Sequence, residues 1–433
     1  MKSTLFADLQ LPIAIVGLGV TGNAVHELLT TVGVPAESII TFDEKTPIAH
    51  FNKGDLLLRK GQPKTLVVSP GVPLASPWIQ EARKLGIKIT SELSLANRVL
   101  TSERVIAITG SIGKSTTTCL LRASLEKFCP SYFVGGNLGI PLARYATDLI
   151  KGQRTKAEWV VLELSSYQLE NYPELKAEIS VLTYLTSNHL ERYNTKEEYF
   201  QTKWNLHQQT TASFVLNNNG GELKDWAQSQ TTKISIKWTD RKAPIVKQKD
   251  LKNCQLLGSH NLDNIAMAAE VATLAQWPPA AFEGLKEFRG LAHRVENLGE
   301  RNGVRYINDS KATTMESVRT AVASTLETVP AKSTLHLLLG GKDKNLPWEE
   351  LNSLGQIPNL RFYFFGDCRE IAHAKSALSG PTFRTMLEAC TAATAYTKPG
   401  DSVLLSPGGT SLDEFKNFEH RGEVFSRYLA DLC

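Results

Sequence analysis

The sequence predicts an α/β protein of three domains whose mostly parallel sheets carry helices on both faces. Its length of 433 residues corresponds to about three domains at roughly 150 residues each. Short runs of β-branched or aliphatic residues alternate with stretches of helical character, which is typical of parallel sheets. Two glycine-rich turns each join such a run to a helical stretch, as nucleotide-binding folds do.

Ten apolar runs predict buried strands. They occupy residues 12–17, 40–43, 65–69, 104–109, 159–164, 213–217, 305–309, 335–341, 361–366 and 402–407. Most are followed by a stretch with helical periodicity, for example residues 77–86 and 114–128. Strands that alternate with helices in this way are expected to run parallel.

Domain boundaries are inferred from the points where this pattern restarts. Residues 91–103 suggest a helix and a linker ahead of a new strand, and residues 286–303 are rich in charge and glycine before another strand. These restarts predict domains at 1–97, 98–291 and 292–433. Residues 218–257 are polar, and they fit either small antiparallel strands or a surface loop.

Composition excludes several classes of protein. The 48 Lys and Arg residues exceed the 44 Asp and Glu residues by four, without the basic block that marks a nucleic-acid-binding surface. The six cysteines form no CxxC pair, which argues against a disulfide framework or a cysteine zinc site and suits a reducing cytoplasm. No uncharged apolar run approaches the length of a membrane span, and Asp8 interrupts the apolar N-terminus, so neither a membrane anchor nor a signal peptide is expected.

The first glycine turn reads GLGVTG at residues 17–22 and follows the first apolar run. Asp43 lies 21 residues after Gly22, close to the spacing of the dinucleotide-binding fingerprint. This pattern predicts a Rossmann-like N-terminal domain that binds a nucleotide or a nucleotide sugar. A turn needed only for packing of strand against helix is the alternative.

The second glycine turn reads TGSIGKSTT at residues 109–117. It departs from the strict phosphate-loop pattern because Ile108 stands where a glycine is expected, but Gly113, Lys114 and Ser115 are in place. In such a loop the backbone N–H groups cradle phosphate, the lysine neutralises it and the serine hydroxyl reaches Mg²⁺. The turn predicts a central P-loop-type ATPase domain, and a helix start with a chance Gly-Lys-Ser is the alternative.

The second turn resembles the ATP loop of the Mur ligases, the enzymes that build the cytoplasmic precursor of peptidoglycan. Further segments match that family in the same order over the whole chain: 135–139 (GGNLG), 162–170 (LELSSYQLE), 188–193 (NHLERY), 258–264 (GSHNLDN), 293–296 (HRVE), 308–313 (NDSKAT), 339–344 (LGGKDK) and 411–422 (SLDEFKNFEHRG). The resemblance implies three α/β domains, of which the C-terminal one is again Rossmann-like.

Within this family, the first glycine turn, Ser69-Pro70-Gly71 and the segments above most resemble the members that add D-glutamate to UDP-N-acetylmuramoyl-L-alanine. The implied reaction consumes ATP and passes through an acyl phosphate, with both substrates as small-molecule partners, in the cytoplasm and in a monomer. Two departures are present: Ile112 stands at a loop position that is usually Asn, and residues 408–410 (GGT) replace a run of small Ala or Cys residues.

The resemblance also implies the site residues. ATP is expected to be bound by Gly110, Ser111, Ile112, Gly113, Lys114, Ser115, Thr116, Asn264, Arg294 and Asp309. The UDP substrate is expected to be bound by Val20, Thr21, Asp43, Ser69, Gly71, Asn137, Ser165, Gln168 and His189. D-Glutamate is expected to be bound by Thr313, Lys344, Ser411, Leu412 and Phe418.

Catalysis is assigned to Lys114, Glu163, His189 and Lys203 on the same ground. Two Mg²⁺ ions are expected as cofactors beside ATP, held by Ser115, Glu163, His189 and a carbamylated Lys203. From the residues alone, Lys203 would be an exposed helix lysine, and a carbamate at that position is implied only by the resemblance.

Three other functions compete with this one. The chain could be another amino-acid ligase of the same family. The first glycine turn alone would suit an NAD-dependent dehydrogenase, which leaves Gly-Lys-Ser and LGGKDK unexplained. The third is a nucleotide-gated binding protein derived from a ligase. It is disfavoured because every catalytic residue type of the ligases is present.

Overall fold

The computed structural model describes residues 5–171, 174–186, 192–242, 245–247, 250–251, 254, 256 and 258–432. The chain divides into two compact units, the first made of Met1–Lys247 with Asp263–Leu285 and the second of Gln248–Leu262 with Lys286–Cys433. Three sheets, two in the first unit and one in the second, give the α/β class that the sequence predicts. The boundaries at 97/98 and 291/292 remain predictions.

The first sheet is parallel, in the order β2-β1-β3-β4. Its strands are β1 (Ile13–Val16), β2 (Ile39–Phe42), β3 (Thr65–Val68) and β4 (Lys88–Thr90). The helices of this segment are α1 (Val20–Thr31), α2 (Gly54–Leu56), α3 (Pro77–Lys84) and α4 (Glu92–Asn97).

The second sheet is also parallel, in the order β10-β9-β8-β5-β7-β6. Its strands are β5 (Arg104–Thr109), β6 (Tyr132–Gly136), β7 (Trp159–Glu163), β8 (Ala177–Leu182), β9 (Thr210–Asn217) and β10 (Ser235–Thr239). The helices along this segment are α5 (Lys114–Glu126), α6 (Leu142–Lys151), α7 (Ser166–Leu169), α8 (Lys196–Trp204), α9 (Leu223–Gln228), α10 (Ser259–Leu274) and α11 (Ala280–Lys286).

The third sheet has the order β11-β12-β16-β13-β14-β15, and only the β11–β12 pair is antiparallel. Its strands are β11 (Glu296–Arg301), β12 (Val304–Asn308), β13 (Leu335–Gly340), β14 (Leu360–Phe365), β15 (Thr382–Phe383) and β16 (Ser402–Gly408). Its helices are α12 (Met315–Leu326), α13 (Arg369–Ser376), α14 (Met386–Ala395) and α15 (Phe418–Asp431).

The central strands are buried on both faces, which explains why they read as continuous apolar runs. In β5 every residue except Arg104 is buried, and β7, β13 and β16 are buried throughout. The polar segment 218–257 differs from the expectation. It contains α9 and β10, and β10 pairs with β9 in parallel, so the antiparallel alternative was wrong.

The topology places the sequence-predicted residues at the carboxyl ends of strands. Gly17, Asp43 and Ser69 follow β1, β2 and β3, while the phosphate loop and Asn137 follow β5 and β6. This is the edge at which parallel α/β sheets bind ligands. In the part of the chain that the structure describes, no helix is long and apolar enough to cross a lipid bilayer.

Candidate functional site

The phosphate loop connects β5 to α5, and a glycine is required at its start. Gly110 has φ of +148°, a conformation that L side chains rarely adopt, and a Cβ there would collide with the hydroxyl of Thr183. Thr183 Oγ1 in turn donates a hydrogen bond to Ile112 O at 2.5 Å. The chain beyond β8 therefore fixes the conformation of the loop, and Thr183 is a contributor that the sequence did not reveal.

Lys114 and Ser115 open α5 at the end of this loop. Lys114 Nζ donates to the carbonyl oxygens of Gly110 at 2.8 Å and Ser111 at 3.2 Å, so its charge lies over the loop. Ser115 is buried and Thr116 is half-buried beside it. A positive charge and the N–H groups of a helix start are what a phosphate group requires.

Asn264 comes to the loop from far along the chain. It lies on α10, is buried, and has its Oδ1 3.3 Å from Thr117 Oγ1 on α5. This place beside the loop is compatible with the prediction that Asn264 binds ATP.

Glu163 presents one fixed and one available carboxylate oxygen. It ends β7 and is only 2% exposed. Asn137 Nδ2 donates to Oε1 at 2.7 Å, and the backbone N–H of Asn137 donates to Glu163 O at 2.8 Å. Oε2 is buried and has no hydrogen-bond partner among the described residues. A buried carboxylate oxygen without a partner is costly unless a cation or donor binds there.

Lys203 lies on α8 and is 1% exposed, so the expectation of an exposed lysine from the residues alone was wrong. Burial holds the pKa of its amine well below the ordinary value of 10.5, and the nearby charge of Lys114 lowers it further. The carboxylate of Glu163 acts in the opposite direction. Lys114, Glu163 and Lys203 are therefore close enough to interact, and Lys203 is biased toward its uncharged form.

These side chains suit a hard divalent cation. Within the described residues no group of three or more His, Cys, Asp or Glu side chains forms a metal cluster. Ser115 Oγ and Glu163 Oε2 are oxygen donors, and Mg²⁺ takes few protein oxygens because it keeps waters and phosphate oxygens as ligands. The unpartnered Oε2 of Glu163 fits such an ion. His189, the other predicted ligand, lies outside the described residues.

The first glycine turn is held by the side chains that follow β2 and β3. Asp43 accepts hydrogen bonds from the backbone N–H of Leu18 at 2.8 Å and of Lys45 at 2.9 Å. These bonds hold the pKa of the Asp43 carboxyl below its usual value. Ser69 Oγ donates to Gly17 O at 3.0 Å. Asp43 and Ser69 thus shape the turn, and their predicted contact with the UDP substrate stays a prediction.

Three other residues predicted to bind the UDP substrate lie at the surface near this turn. Val20, which starts α1, is 72% exposed. Thr21 is half-buried and Gly71 is exposed, with open space around its Cα. Their exposure leaves them accessible to a ligand.

Ser165 and Gln168 cap α7 reciprocally. The N–H of Gln168 donates to Ser165 Oγ at 3.2 Å, and Gln168 Oε1 accepts from the N–H of Ser165 at 2.9 Å. Arg192 binds the end of this segment, since its Nη2 donates to Glu170 at 2.8 Å and to Val72 O at 3.2 Å. Arg192 thereby joins the turn after β3 to α7, a tie that the sequence did not predict.

In the second unit, Asp309 is buried directly after β12. Its carboxylate accepts from Ser406 Oγ at 2.7 Å and from the N–H of Val295 at 3.2 Å. Burial raises its pKa to about 7, and the charge of Arg294 is among the influences that lower it. Arg294 is exposed beside it. The structure thus brings these two predicted nucleotide-binding residues together.

The residues predicted to bind D-glutamate have different exposures. Ser411 is 4% exposed and Leu412 is 62% exposed, Thr313 and Phe418 are half-buried, and Lys344 is exposed. Lys311, which was not among the predicted site residues, places its Nζ 3.8 Å from the centre of the Phe418 ring.

Arg421 is fully buried and organises this region. It donates to Ser310 Oγ at 3.0 Å, to Ser310 O at 2.8 Å and to Gly409 O at 3.2 Å. Burial lowers its pKa to about 10. The segment 411–422 that contains Arg421 is one of the family-like motifs, but a single sequence does not show that this arginine is buried.

The glycine pair at 408–409 does not open extra space. A Cβ on Gly408 would lie 2.9 Å from Met315 Cε and 3.1 Å from a Trp348 ring carbon, and one on Gly409 would lie 2.6 Å from Gly340 O. Neighbouring atoms already fill the positions that Cβ atoms of residues 408 and 409 would take.

Comparisons with known proteins place this geometry in a family. A model described as the Mur ligase middle domain matches residues 108–272. The UDP-N-acetylmuramoylalanine–D-glutamate ligase of Mannheimia succiniciproducens is 34% identical, over 96% of this chain and 96% of that protein. The ligase of the same name from Haemophilus influenzae is 33% identical over 96% and 97%.

A solved structure supports the fold. The crystal structure of MurF ligase from Thermotoga maritima in complex with ADP matches with a TM-score of 0.59 at 16% identity, over 91% of this chain and 96% of that one. At this identity the likeness concerns the fold, while the curated relatives carry the assignment. The chain belongs to the Mur ligase family.

Proposed function

We propose that this protein is an ATP-dependent ligase that joins D-glutamate to UDP-N-acetylmuramoyl-L-alanine in the synthesis of the peptidoglycan precursor. The observation that carries the proposal is the match, over nearly the whole chain, to relatives named for that reaction. The group formed by half-buried Lys114 with buried Glu163 and Lys203 at the phosphate loop supports an ATP-dependent reaction. A dehydrogenase would use neither the Gly-Lys-Ser loop nor this group.

The chemistry begins with two anions that repel each other. An oxygen of the substrate carboxylate attacks the γ-phosphorus of ATP, the bond to the β,γ-bridging oxygen breaks, and an acyl phosphate and ADP result. Lys114 and the loop N–H groups offset the negative charge during this transfer. The amine of D-glutamate then attacks the acyl carbon and loses a proton, and phosphate leaves as the amide forms.

The proposed reaction uses Mg²⁺, for which the chain offers two sets of ligands. Ser115 Oγ and Glu163 Oε2 would bind one ion, and His189 with a carbamylated Lys203 would bind a second. When bound, Mg²⁺ neutralises phosphate charge and orients the oxygens for transfer. Asn137 positions Glu163 for this task by occupying its other oxygen at 2.7 Å.

The surroundings of Lys203 support the proposal that it is carbamylated. The uncharged amine attacks CO₂, a C–N bond forms, and one proton is released to solvent, which leaves an anionic carbamate. Burial and Lys114 both lower the pKa of the amine, so the reactive form is favoured. The carbamate would offer oxygen ligands where an ammonium would repel a cation.

The test of this step is Lys203→Ala, which is expected to lose nearly all ligation activity. A ¹³C NMR signal from labelled bicarbonate should be present in the natural protein and absent in the variant. Exposed Lys84 gives a matched control, since Lys84→Ala should keep both the signal and the activity. Full activity in Lys203→Ala would contradict the proposal.

The function as a whole is tested by phosphate release. Release should require both UDP-N-acetylmuramoyl-L-alanine and an amino acid, and D-glutamate should be preferred over L-glutamate and D-aspartate. A site with polar partners rejects a shorter or inverted acid because those partners are left unpaired. Equal use of D- and L-glutamate would exclude this substrate assignment but leave a ligase of the same family. Release without an amino acid would exclude ligation.

The proposal also covers the cellular compartment and the oligomeric state. We place the reaction in the cytoplasm, where ATP is available and free thiols such as the buried Cys119 and Cys390 stay reduced. We also propose that a monomer carries it out.

A further inference from the structure

Ser111 differs from the rest of the phosphate loop because protein groups use all of its polar atoms. Its N–H donates to Tyr184 O at 2.8 Å. Its hydroxyl donates to Thr186 O at 3.0 Å and accepts from the N–H of Thr186 at 3.1 Å and from Tyr199 OH at 3.2 Å. Its carbonyl accepts from Lys114 Nζ at 3.2 Å.

A hydroxyl has one proton to donate and two lone pairs to accept with. The hydroxyl of Ser111 uses all three within the protein. An ATP oxygen could bind it only if one of these bonds were broken. Ser111 is therefore poorly suited to the role of a direct ATP ligand that its sequence position predicts.

The partners of Ser111 lead to the proposed second metal site. Tyr199 and Lys203 lie one helical turn apart on α8, and Lys203 Nζ is 4.7 Å from the centre of the Tyr199 ring. Tyr199 is 1% exposed, so its position is closely determined by packing. Thr186 is three residues before His189 in the chain.

We propose that Ser111 is a positioning residue that couples nucleotide binding in the phosphate loop to Lys203, through Tyr199 and the segment at Thr186. This inference goes beyond the proposed function, although it rests on the loop being the ATP site. When phosphate enters the loop, Ser111 transmits the ordering of the loop to α8. The modified lysine is then held in place for the substrate carboxylate.

The experiment compares Ser111→Ala with the natural protein by ADP titration and by hydrogen exchange of residues 196–204. ADP should slow exchange in α8 of the natural protein. In Ser111→Ala the ADP dissociation constant should change by less than about threefold, while the protection of α8 by ADP should be lost. Tyr199→Phe keeps the ring beside Lys203 but removes the bond to Ser111, and it should reduce the protection in the same direction.

Thr183→Val is the matched control, because it removes a different hydroxyl that bonds to the same loop, at Ile112 O. It should weaken ADP binding and leave the protection of α8 at saturating ADP intact. Either of two results would overturn the proposal: a loss of ADP affinity of about tenfold or more in Ser111→Ala, which identifies a direct ligand, or unchanged protection of α8. An absence of ADP-dependent protection in the natural protein would overturn it equally. None of these measurements depends on ligation, so a failure of this inference can be distinguished from a failure of the proposed reaction.

Discussion

Lys114 is the residue on which phosphoryl transfer depends most directly. Its ammonium lies over the loop carbonyls of Gly110 and Ser111, where the γ-phosphate charge would otherwise be uncompensated. Lys114→Ala is expected to lower turnover by about a thousandfold, because positioning and electrostatics dominate this class of reaction. Steady-state phosphate release measures it. Exposed Lys127, which follows the same helix, is the control, and turnover close to normal in Lys114→Ala would remove the loop from catalysis.

At the scale of elements, a carboxylate from α4 caps α6. Glu92 is 3% exposed and accepts from the N–H of Ala143 in the first turn of α6. Burial raises its pKa to about 7, partly offset by that bond. Between the unfolded pKa of 4.5 and about 7, the folded chain binds more protons than the unfolded chain. Stability contributed by Glu92 is therefore present at acidic pH and is lost as pH rises through this window.

Glu92→Gln should consequently stabilise the protein at about pH 8, by at most about 3 kcal/mol, and change little at about pH 4. The amide oxygen keeps an acceptor for Ala143 without a buried charge. Urea unfolding at both pH values measures the effect. Glu81→Gln alters an exposed carboxylate on α3 and serves as the control. An equal effect of Glu92→Gln at both pH values would contradict the pKa assigned to Glu92.

Some strands could be predicted from a single sequence and others could not. β5 was predicted at its observed residues because its apolar run is continuous. β8 was not predicted, since Glu178 interrupts its pattern. The structure explains this residue by an ion pair, in which Arg104 Nε on neighbouring β5 lies 2.7 Å from Glu178 Oε2. The short edge strand β4 was missed for lack of the same apolar signal, and polar β10 was left open between a small antiparallel strand and a loop.

The residues of the candidate site likewise differ in how far the sequence predicts them. Lys114 and Ser115 follow from the loop pattern itself. Lys203 was named through resemblance, because nothing in its neighbours in sequence announces its burial. Thr183 contacts a loop 71 residues away in sequence, and such a partner is invisible until the sheet brings β8 beside β5.

At the scale of the whole molecule, the residues predicted to bind the ATP phosphates and those predicted to bind D-glutamate divide between the two compact units, while Arg294 and Asp309, also predicted to bind ATP, lie in the second. The phosphate loop, Glu163 and Lys203 belong to the first unit, while Lys344 and Ser411 belong to the second. Lys344→Ala is expected to raise the KM for D-glutamate by about tenfold, since a point charge for a carboxylate is lost. The ADP dissociation constant, measured by calorimetry, should stay unchanged. Weaker ADP binding in this variant would contradict the division, and exposed Lys375 in the second unit gives the control.

The fit of Thr183 against Gly110 also bears on how an inhibitor of this protein could be evaded. Any side chain at position 110 would strike the hydroxyl of Thr183, and removal of that hydroxyl would still leave the backbone at φ of +148°. A resistant chain would therefore need two simultaneous changes and would still carry a strained backbone. A compound that rests against Gly110 therefore contacts a position where a single substitution would be strained.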